Sequence, residues 1–519
     1  MPANVNTNPG HGRAGRHPTR EILDTLSGHD DPGMFGRMFP TLTPHFAPDA
    51  ALQALADAMK DTSPPGDNNS SIPAGFTYLG QFVDHDITLD LTSLNEKQED
   101  PKAIDNFRTP GLDLDSLYGL GPDGSPQLYA RDPNNPGKLG PKFLIGKTVQ
   151  GFQDLGNVTV GLRNDLPRNP EGVALIGDHR NDENLVVAQT HLAMLKFHNK
   201  VVDTLAARPN PPADLFAEAR QLVTWHYQWM VLHDFVERLT EDGIVARILH
   251  EGRRFYRFKR IPYMPVEFSA AAYRMGHSMV RETYSHNRVF TPGSPPPEIP
   301  ATLVLLFEFS GLSGGILGDL APDPLTGPTP ISVLPGNWII DWRRYYDFKT
   351  PAAPGFFLNR ARKIDPFLAP PLHTLPGGGG NLAFRNLKRG VMLGLPSGQD
   401  VASAMKVAKP LTSEEIASGP DGAAAKAHGL HVDTPLWYYI LKEALVRSGG
   451  ERLGPMGARI VAEVFVGLVH GDHQSYIWRN TNWTPTLPSK TPGRFLMTDL
   501  LQFVGDISPI DGISTVNTL

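Results

Sequence analysis

The sequence contains no cysteine among its 519 residues. This absence excludes disulfide bonds, thiolate ligation of iron, iron–sulfur clusters and cysteine-rich zinc sites. It does not fix the cellular compartment, because a chain without cysteine is compatible with reducing and oxidising surroundings alike.

Long apolar runs and dense basic clusters are also absent. No stretch reaches the roughly 18 consecutive apolar residues that a membrane helix needs, and the first residues lack the apolar core of a signal peptide. The formal net charge of −6 gives no reason to expect a polyanionic partner. We therefore expect no membrane span, no nucleic-acid partner, and either a cytoplasmic location or export without a cleaved signal peptide.

The composition is that of a soluble globular protein, with 40% hydrophobic and 20% charged residues, enough to bury a large core. The 51 glycines and 49 prolines concentrate in patches such as 291–300 and 375–380, which predict long ordered loops between helices. No linker or internal repeat divides the chain. We interpret residues 1–40 as an N-terminal arm and residues 41–519 as a single domain.

Apolar residues recur mainly at helical spacing, and strand patterns are scarce. The best strand candidate is the segment 303–311. The sequence therefore predicts a mainly α fold with long loops and little β-structure. The predicted helices cover residues 47–60, 73–91, 182–207, 212–250, 265–284, 434–448 and 454–471.

Two carboxylates flank a histidine in the segment that contains Gln81, Asp84, His85 and Asp86. On a helix, Gln81 and His85 share a face, whereas each aspartate lies about 100° from His85, in opposite directions. One carboxylate can therefore face a pocket lined by His85 while the other faces a site behind it. An isolated Asp-His-Asp triplet is also typical of an exposed turn, but the polar Gln81 on an otherwise apolar segment favours a functional site.

A carboxylate-rich loop follows, with Thr109, Gly111, Asp113 and Asp115 at alternating positions. In an extended segment alternate residues face the same side, so three side chains and the Gly111 carbonyl can surround one cation together with Asp86. An all-oxygen set with three carboxylates suits Ca²⁺ better than zinc or iron. The spacing does not fit an EF-hand, and a capped turn without metal remains the alternative.

Arg180 and Glu183 lie three residues apart at the predicted start of a helix, where they can share a face. A guanidinium cannot deprotonate and can stabilise negative charge that develops nearby. The alternative is a helix N-terminus whose acidic residues complement the macrodipole.

His277 lies on an apolar stripe of the predicted helix 265–284, directly after Gly276. A histidine on such a stripe is commonly a core residue with its hydrogen bonds satisfied. The glycine before it, however, allows the close approach of a flat group.

Taken in order, these segments resemble the peroxidase–cyclooxygenase superfamily, which includes the animal haem peroxidases, and suggest a bacterial-type member. The similarity runs from about residue 70 to residue 475. It departs from the family pattern at Gly111, at Asp115 and at Val-Met-Leu 391–393. The motifs that carry it are G-Q-x-x-D-H-D at 80–86, the loop 109–119, R-x-x-E at 180–183, R-x-G-H at 274–277, and N-x-x-R-G with a following G-L-P at 386–396.

The resemblance implies a role for each matching residue. His85 would move the proton of hydrogen peroxide, Arg180 would be the distal cation, and Gln81 would line the peroxide and halide site. Asp84 and Glu183 would form ester links to haem b. His277 would bind the haem iron, with its other ring nitrogen held by Asn386 as an acceptor. Arg274 and Arg389 would contact the haem propionates, and calcium would be bound by Asp86, Thr109, Gly111, Asp113 and Asp115.

The activity that the resemblance implies is reduction of hydrogen peroxide through an oxyferryl intermediate, with oxidation of small donors such as halides, thiocyanate or phenols. Asn184 stands where some mammalian members carry a methionine bonded to haem, which argues against chloride oxidation. Two alternatives remain open. A fatty-acid dioxygenase of the same superfamily has a radical-forming tyrosine three residues before the proximal histidine, where this chain has Arg274, with Tyr273 one position away. The other alternative is a non-catalytic haem-binding or adhesion module. Tyr345 and Tyr346 are candidates for a radical relay.

Overall fold

The fold is described from a computed structural model. It covers residues 35–64, 68–89, 106, 108–148, 162–170, 172–259, 261–292, 300–308, 333–349, 356–375 and 380–516. Most of the proposed N-terminal arm and most of the Gly/Pro patches lie outside these residues.

Helices dominate the described residues, and the predicted mainly α fold class is confirmed. Ten of the helices have eight or more residues. They are α1 (Asp49–Ala58), α2 (Gly75–Ile87), α3 (Leu185–Ala206), α4 (Leu215–Met230), α5 (Ile244–Glu251), α6 (Leu382–Met392), α7 (Gly419–Ala427), α8 (Leu436–Ser448), α9 (Pro455–Gly471) and α10 (Met497–Val504).

Shorter helical segments connect the long helices. A π-helical turn, Val231–Val236, continues α4. The short α-helices are Asp115–Tyr118, Gly121–Gly124, Glu237–Leu239, Val266–Ser269, Leu303–Glu308, Gly398–Ala404, Ser413–Ile416 and Tyr476–Arg479; the 3₁₀ turns are Pro126–Leu128, His179–Asp182, Ala272–His277, Gly336–Trp338, Trp342–Arg344, Pro370–His373 and Pro509–Asp511.

The β-structure consists of two-stranded pairs. Among the described residues one pair is parallel and three are antiparallel, and the parallel pair is named first below. The pairs are β1 (Phe35–Gly36) with β5 (Met264–Pro265), β2 (Asn69–Pro73) with β8 (Arg360–Arg362), β3 (Tyr129–Asp132) with β4 (Asn135–Phe143), and β6 (Thr283–Tyr284) with β7 (Ala301–Thr302).

Two helices in the middle of the core position the site. α3 is the longest described helix and is buried along most of its length; it begins at Asn184, whose side-chain oxygen accepts a hydrogen bond from the amide of Val187 at 3.0 Å, as an N-cap residue does. α2 packs against α3. The first residue of α2 is Gly75, and glycine is required there because a β-carbon would lie 2.4 Å from the ring of Tyr346.

Three sequence predictions of secondary structure are wrong. The predicted helix 212–250 is interrupted between Leu239 and Ile244, because Thr240 is extended and Gly243 is left-handed.

The second wrong prediction concerns the segment that contains His277. The predicted helix 265–284 is broken into Val266–Ser269, the 3₁₀ turn Ala272–His277 and strand β6. The chain bends at Ala271, and the guanidinium of Arg274 folds back to donate to the carbonyl of Ser269 at 3.1 Å. Apolar periodicity does not register such a break, because the side chains on both sides of it remain buried.

The segment predicted as a strand at 303–311 is the helix Leu303–Glu308, and its last three residues lie outside the described part of the chain. The hydroxyl of Thr302 accepts a hydrogen bond from the amide of Leu305 at 3.2 Å and caps the start of this helix. A short apolar run cannot by itself distinguish a buried strand from a buried helix.

Among the described residues, no helix combines the length and the apolar character that crossing a lipid bilayer requires.

Candidate functional site

A cavity of about 510 Å³ lies between α2, α6 and the segment 266–280. Its volume falls within the range of about 300–1,000 Å³ that is typical of cofactor and ligand sites. His85 from α2 and His277 from the 3₁₀ turn both line this cavity. The two histidines that the sequence singled out are therefore brought to a common space, although 192 positions separate them in the chain.

His85 is held from behind by an asparagine. Its Nδ1 lies 2.9 Å from Oδ1 of Asn181, and Nδ2 of Asn181 lies 3.0 Å from Nδ1 of His191. With the amide in this orientation, His85 carries its proton on Nδ1 and presents Nε2 as an acceptor. Burial, reinforced by the nearby Arg180 guanidinium, lowers the pKa of His85 to about 3, so the ring is neutral at ordinary pH.

Arg180 lines the distal side of the cavity, and hydrogen bonds to neighbouring groups hold its guanidinium in place. Its Nη2 donates to the carbonyls of His85 at 2.9 Å and Thr88 at 2.6 Å, and its Nε donates to Asp178 at 3.1 Å. Burial works against ionisation of Asp178, but Arg180 and Arg108 outweigh it and lower the pKa of this carboxyl. The guanidinium is thus fixed at the cavity wall by a permanent counter-charge.

Gln81 and Glu183 meet across the cavity wall. The side-chain amide of Gln81 donates to Oε1 of Glu183, which also lies 3.7 Å from Nε2 of His85. Asn184 completes the group by donating to Oε1 of Gln81 at 2.8 Å. Burial raises the pKa of Glu183 to about 7, although Arg180 opposes the shift, so its carboxyl has reduced acidity in this environment.

Asp84 and Asp86 point to different environments, as their helical spacing predicts. Asp84 lines the cavity, accepts a hydrogen bond from the hydroxyl of Thr88 at 3.2 Å, and has a pKa raised by burial. Asp86 is fully buried on the other side, where its carboxylate accepts from the amide of Leu114 at 3.2 Å and from the hydroxyl of Ser116 at 2.8 Å. The helix therefore connects the cavity to the carboxylate loop.

The carboxylate loop brings together three acidic side chains. Asp86, Asp113 and Asp115 each place one carboxylate oxygen within 4.8 Å of the others. Thr109, also predicted here, has a buried hydroxyl without a hydrogen-bond partner. Burial and mutual repulsion raise the pKa of Asp86 and of Asp113, as expected for carboxylates gathered in one buried place.

The predicted route to this cluster was wrong. The loop is not extended: Leu114 has a left-handed backbone with φ 58°, and a helical turn starts at Asp115. The reversal of the chain at Leu114, rather than alternation along a strand, brings Asp113 and Asp115 near the same point. Gly111 lies in the bend before it, and its amide donates to the Thr109 carbonyl at 2.8 Å.

The proximal side contains the predicted partner of His277, but with the opposite hydrogen-bonding role. Nη1 of Arg274 donates to Oδ1 of Asn386 at 2.8 Å, and Nδ2 of Asn386 lies 2.8 Å from Nδ1 of His277. Because a guanidinium can only donate, it orients the asparagine oxygen toward itself. Asn386 therefore donates to His277 and is not the acceptor that the sequence analysis predicted. Burial lowers the pKa of His277 to about 3, so this ring too is neutral.

Besides Arg180, three arginines from two segments reach the cavity: Arg274, Arg385 and Arg389. The predicted Arg274 makes its hydrogen bonds to Ser269 and Asn386, and the predicted Arg389 is buried in α6. A β-carbon added to Gly276, the residue before His277, would have no atom within 4 Å. The space beside His277 is therefore open to a flat group flanked by positive charge.

Sequence analysis missed four contributors to this site: Asn181, His191, Asp178 and Arg385. Asn181 sits directly after Arg180, and Asp178 two positions before it, so the motif itself held a signal for both. His191 is one of two histidines in α3, the other being His198, and nothing in the sequence distinguishes it. Arg385 lies directly before Asn386 in α6 and outside the N-x-x-R-G motif, so the motif does not mark it.

Comparison with known proteins agrees with this arrangement. Residues 91–302 match the animal haem peroxidase family profile. Chorion peroxidase of Drosophila melanogaster is 24% identical over 387 residues, which cover 71% of this chain and 42% of that protein. The chain spans 16 to 42% of the length of the curated relatives that it matches.

Solved structures of low sequence identity share the fold. Peroxidase A from Dictyostelium discoideum aligns with a TM-score of 0.57 at 16% identity, covering 92% of this chain and 95% of that one. A fatty acid alpha-dioxygenase of Oryza sativa aligns with a TM-score of 0.55 at 14% identity, covering 85% of this chain and 76% of that one. The matched segment 91–302 and the shared fold agree with the resemblance to the peroxidase–cyclooxygenase superfamily that the sequence motifs carry.

Proposed function

We propose that the protein is a haem peroxidase that reduces hydrogen peroxide and oxidises a small electron donor. The observation that carries the proposal is a pair of neutral imidazoles, the buried His85 and the half-buried His277, lining one cavity with a different hydrogen-bond environment on each side. The family profile, whose name includes haem, supports haem b as the cofactor.

The residues around the cavity fit such a group. His277 would be the iron ligand, Gly276 leaves room beside it, and Arg385 and Arg389 supply cations for the propionate carboxylates. Haem would supply the redox chemistry while the protein supplies binding, orientation and electrostatics. Because Asn386 donates to Nδ1 of His277, the neutral ring carries its proton on Nε2. Iron could bind Nε2 in two ways. Either the ring loses that proton, or the Asn386 amide reverses as Arg274 moves, so that the proton can be on Nδ1.

On the distal side, His85 would act as acid and base. Its Nε2 can accept the first proton of hydrogen peroxide, because Asn181 occupies Nδ1, and can return that proton to the departing oxygen. Arg180 lines the same wall as a fixed positive charge that favours the charge developing on that oxygen. Gln81, tied to Glu183 and Asn184, would orient peroxide or a halide.

We further propose that Asp84 and Glu183 form ester links to haem and that the carboxylate loop binds Ca²⁺. Both acids line the same cavity as His85. The oxygen-rich cluster of Asp86, Asp113 and Asp115, with the unsatisfied hydroxyl of Thr109, matches the preference of Ca²⁺ for six to eight oxygen ligands.

A fatty-acid dioxygenase remains the second candidate, because a buried tyrosine lines the cavity. The hydroxyl of Tyr273 donates to the carbonyl of Gly80 at 3.0 Å. Arg274, however, occupies the position three residues before His277, and its side chain is engaged with Asn386. Peroxidase activity is therefore the better-supported proposal.

The proposal is tested with the haem-loaded protein, by mixing it with hydrogen peroxide and following the haem absorption bands, then adding a panel of iodide, bromide, thiocyanate and a phenol. A rapid spectral change that these donors reverse supports a peroxidase. Oxygen consumption with a long-chain fatty acid, without peroxide-dependent donor oxidation, would support the dioxygenase. Bound haem without either reaction would support a non-catalytic haem-binding module.

A further inference from the structure

Three buried tyrosines extend from the cavity wall into the core. Tyr78 lines the cavity. Its ring meets that of Tyr284 edge-on, with ring centroids 5.7 Å apart, and Tyr284 stacks on Tyr345 at 5.9 Å with an interplanar angle of 19°. All three rings are at most 2% exposed, so the series is shielded from solvent over its whole length.

The innermost tyrosine is hydrogen-bonded to a histidine whose tautomer is fixed. Nε2 of His286 lies 2.9 Å from the carbonyl oxygen of Trp338, which can only accept, so Nε2 carries the proton. Nδ1 of a neutral His286 is then an acceptor, and it lies 2.9 Å from the hydroxyl of Tyr345. Tyr345 therefore donates its hydroxyl proton to an imidazole that has a lone pair ready to take it.

Burial keeps His286 neutral, because it lowers the pKa of the ring to about 4. The charged groups nearest to this pair are Arg344 and Asp341, and Arg344 also lowers the pKa of His286. The base is thus available over the ordinary pH range.

The neighbouring Tyr346 provides a contrast within the same fold. It is equally buried, but its hydroxyl donates to the carbonyl of Gly75 at 2.9 Å. A carbonyl oxygen does not take a proton from a phenol at accessible energy. Oxidation of a phenol makes its proton strongly acidic, so of these two adjacent tyrosines only Tyr345 has a partner that can receive that proton.

We propose that Tyr78, Tyr284 and Tyr345 form a path along which an oxidising equivalent leaves the cavity and is held at Tyr345 and His286. The inference rests on the proposed function, which supplies the oxidant: the haem after its reaction with peroxide. One electron passes from Tyr345 through Tyr284 and Tyr78 to the cofactor. The O–H bond of Tyr345 breaks, and its proton binds Nδ1 of His286, leaving a phenoxyl radical beside an imidazolium. Return of the electron and the proton restores the phenol.

The experiment uses the haem-loaded full chain, treated with one equivalent of peroxide in the absence of a donor and frozen for electron paramagnetic resonance, with optical spectra of the same samples. The expected result is a tyrosyl signal in the wild type and in the matched control Tyr346→Phe, which is lost in Tyr345→Phe. In Tyr284→Phe the middle ring is no longer readily oxidised, so the signal should appear more slowly. An unchanged signal in Tyr345→Phe would overturn the assignment.

A second oxidant separates failure of this path from failure of the peroxidase proposal. If peroxide leaves the optical spectrum unchanged, the peroxidase proposal fails, and a ruthenium(III) complex generated by a light flash then replaces peroxide in the same protein. A light-induced radical that Tyr345→Phe abolishes and Tyr346→Phe retains supports the path. Equal radical yields in the two variants would contradict it. High-field spectra give a further readout, since a hydrogen bond from imidazolium to the phenoxyl oxygen should shift the g-tensor in the wild type.

Discussion

Oδ1 of Asn181 lies 2.9 Å from Nδ1 of His85, and this contact determines which nitrogen of the histidine faces the cavity. Asn181 is fully buried, and its second polar atom is occupied by His191 at 3.0 Å. The asparagine is therefore a positioning residue for the proposed acid–base group.

Of the two residues in this contact, His85 should be the more important for the reaction with peroxide. In His85→Ala the rate constant for the reaction of haem with peroxide should fall by about 10²–10⁴-fold, the usual contribution of a positioned acid–base group. Stopped-flow absorption measures it. Haem binding should be retained, because the iron ligand is His277; a variant that reacts at the wild-type rate would exclude His85 from the reaction.

Asn181→Ala should have a smaller effect of the same kind, because the ring of His85 remains but either nitrogen can carry the proton. Asn181→Asp offers a matched control, since its carboxylate can still accept from Nδ1 and keep Nε2 free. The rate constant for peroxide should therefore be lower in the alanine variant than in the aspartate variant. Equal rate constants in the two variants would show that Asn181 does not position the ring.

The peroxide reaction should have little dependence on pH between about 4 and 8. His85 must be neutral to accept a proton, and burial lowers its pKa to about 3, so the active form persists well below the ordinary histidine pKa near 6.5. The rate constant should decline only as the pH approaches 3. An acid limb centred near 6.5 would mean that His85 is solvated in the working protein.

Removal of calcium should destabilise the protein through the carboxylate loop. A cation present at 100 times its dissociation constant would add about 2.7 kcal/mol to the free energy of unfolding. The melting temperature should thus fall on chelation and recover with Ca²⁺. In Asp113→Asn, which removes one charge from the cluster, recovery should require more Ca²⁺; a melting temperature indifferent to chelation in the wild type would argue against the site.

Ester links to haem should form at Asp84 and Glu183 once the loaded protein has reacted with peroxide. Acidified acetone should then extract haem from the double variant Asp84→Asn/Glu183→Gln but not from the wild type, because esters survive where coordination does not. Each single variant should retain one link, which mass spectrometry of the haem peptides can assign. Release of unmodified haem from the treated wild type would contradict both links.

The relative directions of three side chains could be predicted from the sequence. Helical spacing alone determines how His85, Asp84 and Asp86 are arranged around α2, whereas their functional roles stay predictions. His277 was assigned to a regular helix, whereas it ends a 3₁₀ turn after a break at Ala271. Next to that break, Arg274 is hydrogen-bonded to Ser269 and to Asn386. Asn386 lies 112 positions after Arg274 in the chain, so the sequence pattern around the break does not indicate this contact.

The hydrogen-bond roles could not be predicted for the same reason. The orientation of the Asn386 amide is set by Arg274, which the sequence analysis had associated with the propionates alone. The turn at Leu114 was missed because a left-handed conformation at a leucine is unusual and leaves no signal in composition. The orientation of the Asn386 amide thus depends on a contact between residues 112 positions apart, and the turn at Leu114 on a local backbone conformation.

The central claim is that His277 binds the iron of a haem whose opposite face meets His85. The most direct measurement is the absorption spectrum of the haem-loaded His277→Gly variant with and without added imidazole. We expect the histidine-ligated spectrum to be lost in this variant and restored by imidazole, whereas His85→Ala should retain it. A wild-type spectrum in His277→Gly without imidazole would exclude His277 as the iron ligand.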